Sequence, residues 1–196
     1  MNTLQELDLV FSGKSDYGET YNHEIHATRN PGLIYLILLL HDIGKGSGIS
    51  GHAETGARIA GVALNRMQIN TAVVEQIVFI IRNHLEMARV WQRFDVEDPK
   101  IALAFAKLVQ DEDTLRYLYV LTFCDAKGTA SSLWNDYKNM LHSQLFHNTL
   151  KHLDDQKTLT TRREEKFKVT VSQICLLYTS DAADDTPCVD LGGRRI

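Results

Sequence analysis

Gly32-Leu-Ile-Tyr-Leu-Ile-Leu-Leu-Leu40, followed at once by His41-Asp42-Ile43-Gly44-Lys45-Gly46, is the segment on which the choice between helix and strand turns. The apolar run has the length of a strand, but no second strand-like run exists to pair with it, so it reads as a fully buried helix. The residues after it bear on chemistry. An imidazole stands beside a carboxylate where the helix runs out, and a glycine-rich turn follows. That pair suits a divalent metal, because imidazole and carboxylate together satisfy ions from magnesium to iron and zinc. Adjacent side chains diverge on a helix, so they converge on one ion only near its end, and Leu40 to Lys45 is such an end. The ordinary alternative is a buried histidine followed by an N-cap aspartate.

Outward from this stretch the chain reads as helix after helix. Asn2 to Phe11 carries Leu4, Leu7 and Phe11 at helical spacing, and Ser12 to Pro31 is a polar loop or short helix between breaks. His52 to Met67 has a small-residue rhythm, Ala53, Gly56, Ala57, Ala60 and Gly61, and Thr71 to His84 has the stripe Val74, Ile77, Val78 and Ile81. Asp98-Pro99 opens another helix, aspartate as cap and proline at the first position, with Ile101, Phe105 and Leu108 inward. Asp113 is expected to cap the next, running to Asp125. Ser131 to Leu153 is expected as a long helix with Trp134, Leu141 and Leu145 inward, and Thr158 to Val171 as a charged helix or linker. The expectation is an all-α bundle with a metal site between helix ends.

Composition narrows the function. The 196 residues suit one domain, and the net charge of −4 offers no basic surface for nucleic acid or an acidic membrane. Leu33 to Leu40 is too short to span a bilayer and nothing at Met1 reads as a signal peptide, so the cytoplasm is expected.

Beyond His41 and Asp42, three more residues form a pattern: His52 in Ser50-Gly51-His52-Ala53-Glu54, His84 in Arg82-Asn83-His84-Leu85, and Asp125 in Phe123-Cys124-Asp125-Ala126. Each falls at a helix end or first turn, and ligands from several such ends can meet in one bundle pocket. Singly each has a duller explanation: His52 starts a helix, and His84 is a surface histidine favoured by a helix C-terminus. Asp125 follows Tyr119-Val-Leu-Thr-Phe-Cys124, where a carboxylate would be buried unless paired or metal-bound. A Walker loop and a Ser-His-Asp order are absent.

The order His-Asp, His, His, Asp resembles that of HD-domain metal-dependent phosphohydrolases. More narrowly, Leu-Leu-Leu-His41-Asp42-Ile-Gly-Lys-Gly, Gly51-His52-Ala-Glu-Thr-Gly-Ala, Arg82-Asn-His84-Leu-Glu-Met, Gln92-Arg93-Phe-Asp95, Asp98-Pro99 and Leu133-Trp134-Asn135-Asp-Tyr-Lys138 are similar to the HD domain of the PII uridylyltransferase/uridylyl-removing enzymes. The likeness runs from about Leu4 to Leu153. It implies that His41, Asp42, His52, His84 and Asp125 ligate a divalent metal, Mg or Mn first and Fe or Zn as alternatives. It also implies a catalytic role for His41 and Asp42, with Lys45 beside the substrate phosphate and Lys45 or Arg93 adding positive charge to the transition state. The activity implied is hydrolytic removal of UMP from the PII signal protein, the substrate partner. Glutamine would act as effector only through domains outside this chain. A stand-alone HD nucleotide phosphohydrolase and a regulatory HD module with an impaired site are the other readings.

Two features depart from the pattern. The family uses a further, earlier histidine, and His23 and His26 lie on the wrong side of the first helix to supply it. Aligning Leu4-Gln-Glu-Leu7-Asp8 with the family's first helix puts that residue just before Met1, which implies a fragment. At the other end, Cys175-Leu-Leu-Tyr-Thr-Ser-Asp-Ala-Ala-Asp-Asp185, then Thr186-Pro187, then Cys188-Val-Asp-Leu-Gly-Gly-Arg-Arg-Ile196 resembles a translated sequencing adaptor. The expected organisation is therefore an HD domain over 1–155, a charged helix or linker over 156–174, and a non-native tail over 175–196. Cys124 then stands alone and no internal disulfide is expected.

Overall fold

The computed structural model describes residues 3–48 and 50–184; Thr186-Pro187 and the block from Cys188 lie outside them. The described residues form helices and no strand. The chain divides into two units, 1–153 and 154–196, and the first holds the core and the candidate site.

The helices are α1 (Thr3–Phe11), α2 (Gly18–His26), α3 (Leu33–Leu40), α4 (His52–Arg66), α5 (Thr71–Arg82), α6 (Glu86–Arg93), α7 (Pro99–Val109), α8 (Glu112–Thr129) and α9 (Asp136–Asp184). Short 3-10 turns, Ile43–Ser47 and Ser131–Leu133, follow α3 and α8. Helix α8 is the pillar. Leu115, Leu118, Tyr119, Val120, Leu121 and Phe123 on it are completely buried, and α1, α2, α3, α5, α6 and α7 all pack against it. A helix buried on nearly every side is the signature of a core element. Each such side chain withdrawn from water contributes roughly 1.5–3 kcal/mol. Around its middle, Tyr21, Tyr119, Phe123, Trp134, His142 and Phe146 form one aromatic cluster; Tyr21 stacks on Phe123 at 4.0 Å between centroids.

Several details depart from expectation. Helix α3 is not fully buried: Leu39 is 63% and Tyr35 38% exposed, while Ile34, Ile37 and Leu38 face the core. Its outer leucines escaped notice because an all-apolar run carries no polar residues to mark the solvent side. Of the two readings of Ser12–Pro31, the short helix between breaks is the one found: it is α2, anchored by fully buried Tyr21 and Ile25. The α8 cap is Asp111, which accepts the Thr114 N–H at 2.9 Å; Asp113 instead takes the Arg29 guanidinium at 2.7 Å. Asp98-Pro99 does open α7, the aspartate accepting from Lys100 N–H, but Leu108 is 36% exposed and Val109 takes the inner position. The last long helix begins at Asp136, not Ser131, with Asn135 accepting the Lys138 N–H at 2.9 Å. Helix α6 came with no sequence expectation at all.

Candidate metal centre

The site is built where α3, α4, α5 and α8 bring their ends, or nearly their ends, together. His41 is the C-cap of α3, and Asp42 precedes the 3-10 turn Ile43–Ser47. His52 is the first residue of α4, reached through Gly51 at φ 73°, a backbone conformation that favours glycine. His84 lies just past α5. Asp125 differs from expectation in sitting within α8, more than a full turn before its end at Thr129.

Gly44 sets the distance between the first two pieces. A Cβ at this position would lie 2.0 Å from the His52 carbonyl oxygen and 2.6 Å from the Gly56 amide nitrogen. Only a glycine lets the turn that follows Asp42 rest directly on the backbone of α4's first turn. Across the same region Arg82, at the end of α5, grips Glu54, in the first turn of α4, through two N–H groups at 2.7 and 3.1 Å. This fork ties the segment bearing His84 to the segment bearing His52.

The five residues converge as two overlapping groups. Asp42, His52 and His84 form one, and His41, Asp42 and Asp125 the other, with one ligand atom per residue lying within 4.8 Å of its companions. Asp42 is common to both. His41 Nε2 stands 3.2 Å from Asp125 Oδ1 and 3.3 Å from Asp42 Oδ2. His52 Nε2 stands 3.3 Å from His84 Nε2, and the two lie 3.6 and 3.9 Å from Asp42 Oδ1. His41, His52 and His84 are all at most 8% exposed.

Hydrogen bonding decides the tautomers. His41 Nδ1 donates to the Leu38 carbonyl at 2.7 Å, and His84 Nδ1 donates to the Ile81 carbonyl at 2.6 Å. A carbonyl only accepts, so Nδ1 carries a proton in each ring and Nε2 faces the cluster, free to ligate whenever it is unprotonated. Backbone partners of this kind are what orient metal-ligating histidines. Asp42 Oδ1 is buried with no hydrogen-bond partner. Three imidazole Nε2 atoms and two carboxylates thus face one another, an arrangement that attracts positive charge. The donor set, imidazole nitrogen with carboxylate oxygen, fits a divalent cation at this spot.

The titration behaviour has the same cause. Burial works against protonation of His41, but its bonds to Asp125 and Asp42 outweigh it and push the imidazole up to about 9. Burial would raise the Asp42 carboxyl; the bonds from His41 and Lys45 overcome this and hold it far below the ordinary carboxylate range. Burial lowers His84, which keeps it neutral.

Lys45 Nζ reaches Asp42 Oδ2 at 2.5 Å with half its side chain in water. Arg93 is exposed at the end of α6, and it is its neighbour Gln92 that lines the cavity beside the site. His23 and His26 belong to neither group. The cavity, about 170 Å³, is lined by His84 and Asp125 together with Trp91, Leu133, Trp134 and Lys138. The Gln92 and Trp134 segments, motif elements far apart in the chain, both line it. Trp91 carried no such signal. No helix among the described residues is long and apolar enough to cross a membrane.

A sequence model of the HD domain matches residues 15–118, a span that includes His41, Asp42, His52 and His84 and stops short of Asp125. Similar full-length proteins include the bifunctional uridylyltransferase/uridylyl-removing enzyme of Azotobacter vinelandii, 40% identical over 140 residues, which are 71% of this chain and 16% of that protein. The enzyme of the same name from Bordetella bronchiseptica is 38% identical over 143 residues, 70% of this chain and 16% of its own. That of Methylococcus capsulatus is 39% identical over 119 residues, 61% and 14% of the two chains. The chain thus spans about a sixth of the length of the curated relatives it matches.

Proposed function

The chain belongs to the HD-domain family, and from that premise we propose that it is the uridylyl-removing, metal-dependent phosphodiesterase part of a bifunctional uridylyltransferase/uridylyl-removing enzyme. The observation that carries this reading is the pair of three-ligand groups sharing Asp42, set in a chain about 40% identical to that region of the named relatives. The substrate in this reading is the uridylylated PII signal protein, and the working domain is residues 1–155.

His41, Asp42, His52, His84 and Asp125 would hold the ion or ions, with Mg or Mn favoured and Fe or Zn possible for the same donors. When bound, a divalent ion supplies Lewis acidity, lowering the pKa of water and offsetting phosphoryl charge. The remaining work falls to the protein. His41 and His84 are held in one orientation by the Leu38 and Ile81 carbonyls, so the ligand lone pairs are aimed before substrate arrives. Lys45, beside Asp42 and half exposed, swings onto a non-bridging phosphoryl oxygen as negative charge develops there. Arg93, in solvent at the end of α6, is the second candidate for that role. In the reaction the water oxygen bonds to phosphorus, the bond from phosphorus to the protein-side oxygen breaks, and that oxygen takes up a proton. UMP and the unmodified acceptor side chain are the products.

The test is to incubate the chain with uridylylated PII and Mg2+ or Mn2+ and follow UMP by chromatography. Release that disappears in Asp42→Ala and His41→Ala is expected. Hydrolysis of free nucleotides with none of the protein-bound ester would replace this reading by the stand-alone nucleotide phosphohydrolase.

A further inference from the structure

A cavity of about 620 Å³, lined by Leu33, Phe79, Gln110 and Tyr117, shares no residue with the metal cluster. The cavity of about 170 Å³ does, and its chemistry is specific. His84 and Asp125, one from each candidate group, are among its lining residues. Most of the remaining lining is apolar: Trp91 from α6, Trp134 before α9, and Leu85, Ala88, Ala126 and Leu133. Trp91 and Trp134 meet edge to face at 6.2 Å between centroids. Polar groups return at Gln92 and at Lys138, whose ammonium is tied to the Leu133 carbonyl at 2.7 Å.

A volume of about 170 Å³ lies below the roughly 300–1,000 Å³ of sites that enclose whole drug-sized ligands. It suits one planar ring joined to a phosphate at the ligand cluster. We propose that this cavity receives the uracil ring of the uridylyl group, with the tryptophan wall contacting the ring and the Gln92 amide meeting its polar edge. The proposal rests on the uridylyl-removing reading and adds which part of the ester is recognised here. Gln92 favours the base over the other side of the ester. Its amide presents one donor and one acceptor group, matching an imide N–H and carbonyl, whereas an aryl ester such as phenyl phosphate, joined through its only oxygen, has no such edge. Aromatic contact with a base is sequence-tolerant and strong, so the ring should add about tenfold or more to affinity.

Both tryptophans of the chain line this cavity, so intrinsic fluorescence reports on it directly. The 196-residue chain with Mg2+ is titrated with UMP, ribose 5-phosphate and phenyl phosphate. UMP is expected to change the emission and to bind about tenfold or more tighter than ribose 5-phosphate. Ala88→Phe, which fills the cavity, and Gln92→Ala, at an exposed position, are expected to erase most of that preference. Circular dichroism melts establish that each variant folds, and Gln92→Ala decides the matter should Ala88→Phe unfold. Equal binding of UMP and ribose 5-phosphate overturns the assignment even where UMP release from the modified protein succeeds. Tighter binding of phenyl phosphate than UMP also overturns it, placing the other side of the ester here. A clear UMP preference without any UMP release upholds the cavity and sinks the enzymatic reading instead.

Discussion

Gly44→Ala tests the architecture of the centre without touching a ligand. The added Cβ would start 2.0 Å from the His52 carbonyl oxygen, and about 1.4 Å of separation is needed to reach the 3.4 Å at which ordinary contact begins. Both obstacles, the His52 carbonyl and the Gly56 amide, are backbone of α4, so no side chain can swing aside. Either the turn after Asp42 lifts away or the first turn of α4 moves. Both alternatives alter the 3.6 Å between His52 Nε2 and Asp42 Oδ1 by far more than the about 0.2 Å that metal coordination tolerates. Overpacking against an unyielding wall costs about 3 kcal/mol. For a unit of this size that lowers the Tm by roughly 6–12 °C. Metal affinity should fall about 10–100-fold, the range seen when support of a ligand is lost. Gly46→Ala is the control, since a Cβ there meets nothing within 4 Å. The assay is a thermal melt of both variants followed by equilibrium dialysis against Mn2+. A Gly44→Ala protein that melts and binds metal like Gly46→Ala would refute the reasoning.

Binding of a divalent ion should stabilise the fold by linkage: at a free concentration 100 times Kd the gain is about 2.7 kcal/mol, a rise in Tm of roughly 5–11 °C. Asp42→Ala, which removes the carboxylate shared by both groups, should abolish the rise, and an undiminished shift in that variant would exclude these residues as ligands. His142 is fully buried, its Nε2 donating to the Tyr119 carbonyl, and burial depresses its pKa from 6.5 to about 3. The unfolded chain therefore takes up a proton below pH 6.5 that the folded chain refuses, so stability is intact above 6.5 and falls as pH drops towards 3. Between pH 7 and pH 5 this removes about 2 kcal/mol at 1.36 kcal/mol per unit. Urea denaturation of His142→Met at both pH values should show that much less loss than the parent; parallel losses would show that His142 does not titrate this way.

The helical class, the order of the candidate donors and most of the helix starts were legible because they are local. Asp98-Pro99 caps α7 through its own neighbours, and the spacing of Val74, Ile77 and Ile81 is a property of one segment. The five residues His41, Asp42, His52, His84 and Asp125 stood out because imidazoles and carboxylates at the ends of apolar helices are costly unless something pairs with them. Which side of α3 faces water was not legible, since Tyr35 and Leu39 look no different from Leu38 in an all-apolar run. Nor was the true cap of α8: Asp111 and Asp113 are equivalent in sequence, and Arg29, distant in the chain, claims the second.

What the amino-acid sequence determined by itself is the set of donors and the helices that carry them, because ligand chemistry and helical periodicity are written residue by residue. Only the tertiary structure decided how the donors divide, with Asp42 common to both groups, because that depends on the Gly44 turn pressing on α4. It also decided that Trp91, Gln92 and Trp134 close one cavity beside His84 and Asp125. These residues come from the end of α5, from α6, from α8 and from the segment before α9, and only packing around α8 brings such distant stretches within reach of one another.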